Sequence, residues 1–110
     1  MNALGTVVSF PSQTTRSPSA EDIDDELIER IAMDDEGALV ELEERHVVRL
    51  RQIAIAILAD DDDADAVIDD VFIDVVCLWA PERGEVARWL GRLTRKHARK
   101  RRAPLGGLVH

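Results

Sequence analysis

Apolar residues recur every four positions at Ile23, Leu27 and Ile31 within an otherwise charged stretch, which predicts an amphipathic helix through IDDELIERIAM. Ser19 and Asp22 just upstream have the spacing of a capping box and place its start. A second helix is predicted from near Glu36 to about Ala59, its apolar residues thickening toward the end into IAIAILA. Alternating Ile and Ala imitates a strand, but both residue types are apolar, so no polar face is defined. The length and the alanine content favour a helix buried on nearly all sides, the central element of the core.

Asp60 to Asp63 interrupt the apolar pattern and set carboxylates where the partial positive end of the next helix stabilises them. On that third helix, at about 100° per residue, Val67, Ile68, Val71, Phe72, Val75, Val76 and Trp79 fill one half. Asp69, Asp70 and Asp74 share the other half, and Pro81 and Gly84 mark its end. The fourth helix divides by sign. With Arg88 at 0°, Arg92, Arg95, Arg99 and Arg102 fall near 40°, −20°, 20° and −40°, a guanidinium stripe about 80° wide. Val86, Trp89, Leu90, Leu93 and His97 gather on the opposite side, and Lys96 lies beside the stripe near Trp89.

These elements predict an all-α protein, a compact four-helix bundle over residues 21–103. A disordered tail is expected over residues 1–20, rich in Ser, Thr and Pro, and a flexible tail over residues 104–110. At 110 residues the chain forms one domain, and with two Phe, two Trp and no Tyr its core must be aliphatic.

The net charge of −8 conceals a segregation. Residues 21–82 hold 21 acidic and 4 basic side chains, whereas residues 83–110 hold 9 basic and 1 acidic. Such asymmetry points to one polyanion-binding element on an acidic body. Like charges three and four residues apart on a helix repel by a few tenths of a kcal/mol per pair. A sequence that keeps them so spaced offers the stripe to phosphates, whose neutralisation releases counterions. Two bland readings stand beside this one: a carboxylate face that serves solubility alone, and a basic helix docked on the acidic body.

Catalytic and metal chemistry find no support. Taking Asp61 as the first ligand of a calcium loop puts Ala66 where the turn glycine belongs and Phe72 where the bidentate Glu belongs. Asp61, Asp62 and Asp65 have the spacing of a magnesium diphosphate motif, but that chemistry needs a much larger cavity-forming fold. His46 and His97 have no partner at metal-ligand spacing, and no Ser sits in a nucleophile context. His97 is expected as a packed core or rim residue and Cys77 as a small packing residue. No enzyme, metal or cofactor is expected. One cysteine makes no internal disulfide, the N-terminus lacks a signal-peptide pattern, and no apolar run approaches the ~20 residues that span a bilayer. A cytoplasmic protein is expected.

DADAVIDDVFIDVV, residues 63–76, resembles the D-A-E-D-V-V-Q-E-V-F-L-x-V-W segment in region 2 of the sigma factors of bacterial RNA polymerase, in particular the extracytoplasmic-function group. Pro81, Arg83 and Gly84 are similar to the P-x-R-G that follows in that family, and Trp89 and Leu90 to its W-L pair. DDELIERIAMDDEGALVELEERH is similar to the family's first helices, with its D-E-x-A step at Asp35, Glu36 and Ala38. The likeness covers about residues 22–102. It departs at Ala66, at Asp69 in place of Gln, at Val76 in place of Trp, in a shorter segment between Phe72 and Pro81, and at Lys96 in place of Asn. Lysine binds phosphate as a point charge but lacks the amide that pairs bidentately with adenine.

The resemblance implies a sigma-factor region 2-like bundle that takes part in transcription initiation. Its third helix, through Asp65, Asp69, Asp70 and Asp74, would dock on the clamp helices of core RNA polymerase. Its fourth, through Arg88, Trp89, Arg92, Arg95, Lys96 and Arg99, would meet the non-template strand of the promoter minus-ten element. Family members continue into a second domain carrying a helix-turn-helix, whereas this chain stops after APLGGLVH, so an anti-sigma factor or a separate helix-turn-helix subunit is a further expected partner. Two other functions remain open: a protein-interaction or decoy module that binds polymerase or another regulator without specific DNA recognition, and nonspecific nucleic-acid binding through the arginine stripe alone.

Overall fold

Three of the four helix starts are written in side-chain oxygens. Ser19 Oγ accepts from the Asp22 amide at 3.1 Å while the Asp22 carboxylate accepts from the Ser19 amide at 3.4 Å, so the expected capping box forms and opens α1, Ala20–Ile31. Asp35 Oδ1 takes the Ala38 amide at 3.1 Å and starts α2, Glu36–Leu58. Asp60 Oδ1 takes the Asp63 amide at 2.8 Å and starts α3, Asp61–Cys77. The last helix, α4, is Val86–Leu108. The computed structural model describes residues 18–78 and 80–108. The expectation of a disordered tail falls mostly on residues 1–17 and that of a core Trp79 on residue 79, both outside the described residues.

The four helices form an all-α bundle in which α2 packs against α1, α3 and α4. Its buried row is Ala38, Leu42, His46, Leu50 and Ala54, an unbroken i, i+4 line. α2 is therefore the central element, but it is buried on one side and not nearly all round: Val40 and Val48 are exposed, and Ile53, Ile55, Ile57 and Leu58 are half-buried at the edge of the core. Leu27 of α1, Val67 and Val71 of α3 and Leu90 of α4 complete the fully enclosed layer. Each such side chain contributes roughly 1.5–3 kcal/mol on leaving water. Ala38, Ala54, Ala64 and Ala98 are wholly buried and keep the helices close.

One boundary differs from the linear reading. α3 stops at Cys77, where Leu78 turns to extended backbone, so Val76 and Cys77 emerge from the bundle and are exposed instead of packed. α2 ends where expected, at Ala59, which lies in the left-handed region, φ 55°, without a glycine to announce the stop. α4 continues to Leu108. No helix among the described residues is long and apolar enough to cross a membrane.

Buried carboxylates lock α1 to the rest. Asp24 accepts from Arg45 Nε at 2.8 Å and lies 3.0 Å from His46 Nε2, both on α2. Asp25 receives the Gly84 amide at 2.9 and 3.1 Å, and Gly84 has φ 82°, a conformation that favours glycine. This contact ties the loop before α4 to α1. Thr94 is fully buried and satisfies its hydroxyl on the Leu90 carbonyl at 2.8 Å.

Asp24→Ala strands a buried imidazole and a half-covered guanidinium, and is expected to lower the unfolding free energy by about 3 kcal/mol in urea denaturation. Asp35 supplies a pH test. The Arg30 guanidinium, donating to Asp35 at 2.9 Å, and then the Ala38 amide hold its carboxyl below the ordinary carboxylate range. A depressed folded pKa stabilises fully above the unfolded value, about 3.9, and the contribution is lost as pH falls through the folded value. Asp35→Ser keeps a capping oxygen without the charge, so it should melt below the parent at neutral pH, and the gap should close in acid; a gap independent of pH would contradict this assignment.

Candidate nucleic-acid and partner interfaces

α4 enters the core by Val86, Trp89, Leu90, Leu93 and Ala98, and this sets its rotation. Arg88, Arg92, Arg95, Arg99 and Arg102 consequently all face solvent, as does Lys96. The stripe is not folded onto the acidic body. Arg88 pairs with Glu85 one turn earlier at 3.0 Å, and Arg102 Nη1 reaches the Ile57 carbonyl at 3.5 Å. Among the described residues Arg92, Arg95, Lys96 and Arg99 make no ion pair. The side chains of α4 that do bind the body lie off the stripe: Arg101 donates to Asp63 at 3.0 Å, and His97 Nε2 lies 2.6 Å from Asp74.

Trp89 corrects one expectation. With 8% of its surface exposed it belongs to the core, so its indole is not offered to an unstacked base. On α4 it lies about 100° from Arg88, on the apolar half, and a ring of that size is worth more to an aliphatic core than to solvent.

The four aspartates expected on one partner-facing surface separate into two kinds. Asp69 and Asp70 are exposed and make no ion pair among the described residues. Asp65 is exposed but accepts from Arg51 Nε at 2.7 Å, and this hydrogen bond raises the Arg51 pKa above its ordinary value. Asp74 is half-buried against His97 and serves the α3–α4 contact. His97 is thus a rim residue, as its place on the apolar half implies, and gains a carboxylate that the spacing did not reveal. Among the described residues no cluster of His, Cys, Asp or Glu is arranged to hold a metal ion.

Two features escaped the linear reading. Asp24 lies on the buried face of α1, and the signal was present: Asp24, Leu27, Ile28 and Ile31 follow the i, i+3, i+4, i+7 order of a core-facing stripe. An open groove of about 430 Å³ runs between α2 and α3, lined by Leu39, Glu43, Asp69, Phe72, Ile73 and Val76. Ile73 and Val76 are more than half exposed there, so Asp69 borders an apolar surface and not only other carboxylates.

No family model matches the chain, and no curated protein or solved structure matches it either.

Asp74→Ala removes a charged hydrogen-bond partner from the α3–α4 contact and should cost about 1.5 kcal/mol in denaturant unfolding. Asp69→Ala and Asp70→Ala should leave stability within about 0.5 kcal/mol of the parent. Equal losses at all three positions would undo the division between structural and free carboxylates.

Proposed function

We propose that this chain is a sigma-factor region 2-like module that associates with core RNA polymerase and promoter DNA. The observation that carries the reading is the outward cationic ridge of α4, where Arg92, Arg95, Lys96 and Arg99 stand without carboxylate partners among the described residues. Phosphates neutralise such a ridge and gain affinity by releasing counterions, whatever the base sequence. The second support is separation in space: Asp69 and Asp70, without an ion-pair partner among the described residues, present negative charge on α3 beside the exposed apolar Ile73 and Val76. Charge of that sign steers a basic protein surface into register, with apolar contact adding the affinity. The motif likeness at residues 63–76 and 81–90 supplies the identity of the two partners: polymerase for the carboxylates, the minus-ten strand for the arginines.

The buried Trp89 favours a second reading, a module that binds polymerase or another regulator without specific DNA recognition, since the aromatic platform for an unstacked base is missing from the α4 surface.

A fluorescent minus-ten single strand and a scrambled strand of equal length decide between them. The promoter reading expects tighter binding of the minus-ten strand and loss of that preference on replacing Arg92 and Lys96 by Ala; equal affinities would remove it. A pull-down with core polymerase tests the other face. Asp69→Ala with Asp70→Ala should abolish capture without disturbing the fold, and undiminished capture would mean that the carboxylates are not the docking surface.

A further inference from the structure

Arg49 lies on α2, outside the α4 stripe, and is exposed. Its Nη2 donates to the Ala87 carbonyl oxygen on α4 at 3.0 Å, so the guanidinium is held across the α2–α4 contact by a neutral acceptor. Arg95 arrives at the same place from the next turn of α4. Relative to the point a Cβ on Gly91 would occupy, Arg95 Nη1 is 3.3 Å away and Arg49 Nη1 is 3.5 Å away, with the Ile53 Cδ1 methyl at 3.9 Å. Two cations therefore converge over one bare stretch of helix backbone. Neither makes an ion pair among the described residues.

An anion would relieve the repulsion between two neighbouring guanidiniums. Like charges so close repel, and glycine in a helix interior is a poor helix former. Gly91 is buried, and a Cβ there would stand in the space both guanidiniums approach. An arginine has five N–H donors, and one bond to Ala87 leaves Arg49 most of its fork. A phosphodiester has two non-bridging oxygens and can give one to each arginine, in charge-assisted hydrogen bonds of the kind guanidinium forms best.

We propose that Arg49 and Arg95 together bind one backbone phosphate of a single-stranded nucleic acid over Gly91, so that the footprint extends from α4 onto α2. This rests on α4 being a nucleic-acid face, but not on any sequence preference. A strand held at this point is fixed to two helices at once, which sets its direction across the bundle and not merely its attraction to a ridge.

Fluorescein-labelled dT12, titrated with the full chain over a range of salt, tests the site. Losing the shared phosphate should make the log affinity versus log salt slope shallower by about 0.7 and weaken binding about fivefold at about 0.1 M salt. Arg49→Ala and Arg95→Ala should each show that loss, and the double variant should lose little more, because one phosphate serves both. If Arg49→Ala lowers the melting temperature, Arg49→Gln, which keeps a donor for the Ala87 carbonyl without the charge, carries the same expectation. A slope and affinity equal to the parent's in the Arg49 variants would overturn the site, and so would losses that add in full. Failure of the promoter reading looks different: the minus-ten and scrambled strands bind alike, while the Arg49 effect on dT12 persists.

Discussion

The burial of one side of α4 governs what the molecule presents. Val86, Trp89, Leu90, Leu93 and Ala98 are sealed into the bundle, and a helix clamped along one ridge has no freedom to rotate. Its arginines then face water because they have nowhere else to go. Turning the stripe onto the acidic body would expose Trp89 and bury guanidiniums at a cost of several kcal/mol each. The apolar seam thus fixes the electrostatics, and attraction between basic α4 and acidic α3 plays a secondary part through Arg101 with Asp63 and His97 with Asp74.

The same seam explains why charge of both signs survives at high density in so small a protein. Where carboxylate and cation meet at the edge of the core, as in Asp24 with Arg45 and His46, they act as fasteners between helices. Where they stand clear of it, as in Asp69, Asp70, Arg92 and Arg99, they are left with solvent or a partner. Burial decides which of these a residue becomes, more than its type or its place in a motif. Asp65, Asp69, Asp70 and Asp74 share one motif and one helix, yet among the described residues two make no ion pair, one pairs with Arg51 across the surface and one is bound to His97.

Much of the fold was legible in the linear order. Period-four apolar residues, the Ser19 cap and the aspartate run at 60–63 located the first three helix starts to within a few residues, because those signals are local: an oxygen caps the amides three residues on, whatever lies elsewhere. The early end of α3 was not legible. Apolar residues continue past Cys77, and Pro81 and Gly84, which signal the end of the helix, lie three or more residues beyond the extended backbone at Leu78.

The arginine stripe belongs to the local kind as well, since its alignment is arithmetic on 3.6 residues per turn and holds for α4 in isolation. What required the assembled bundle was everything that brings distant residues together. The pairing of Asp74 with His97, the capture of Gly84 by Asp25 and the meeting of Arg49 with Arg95 over Gly91 join positions 23, 59 and 46 residues apart. No pattern along the chain encodes them, because a spacing rule describes one helix, and the facing of two helices is set by how their apolar ridges interlock.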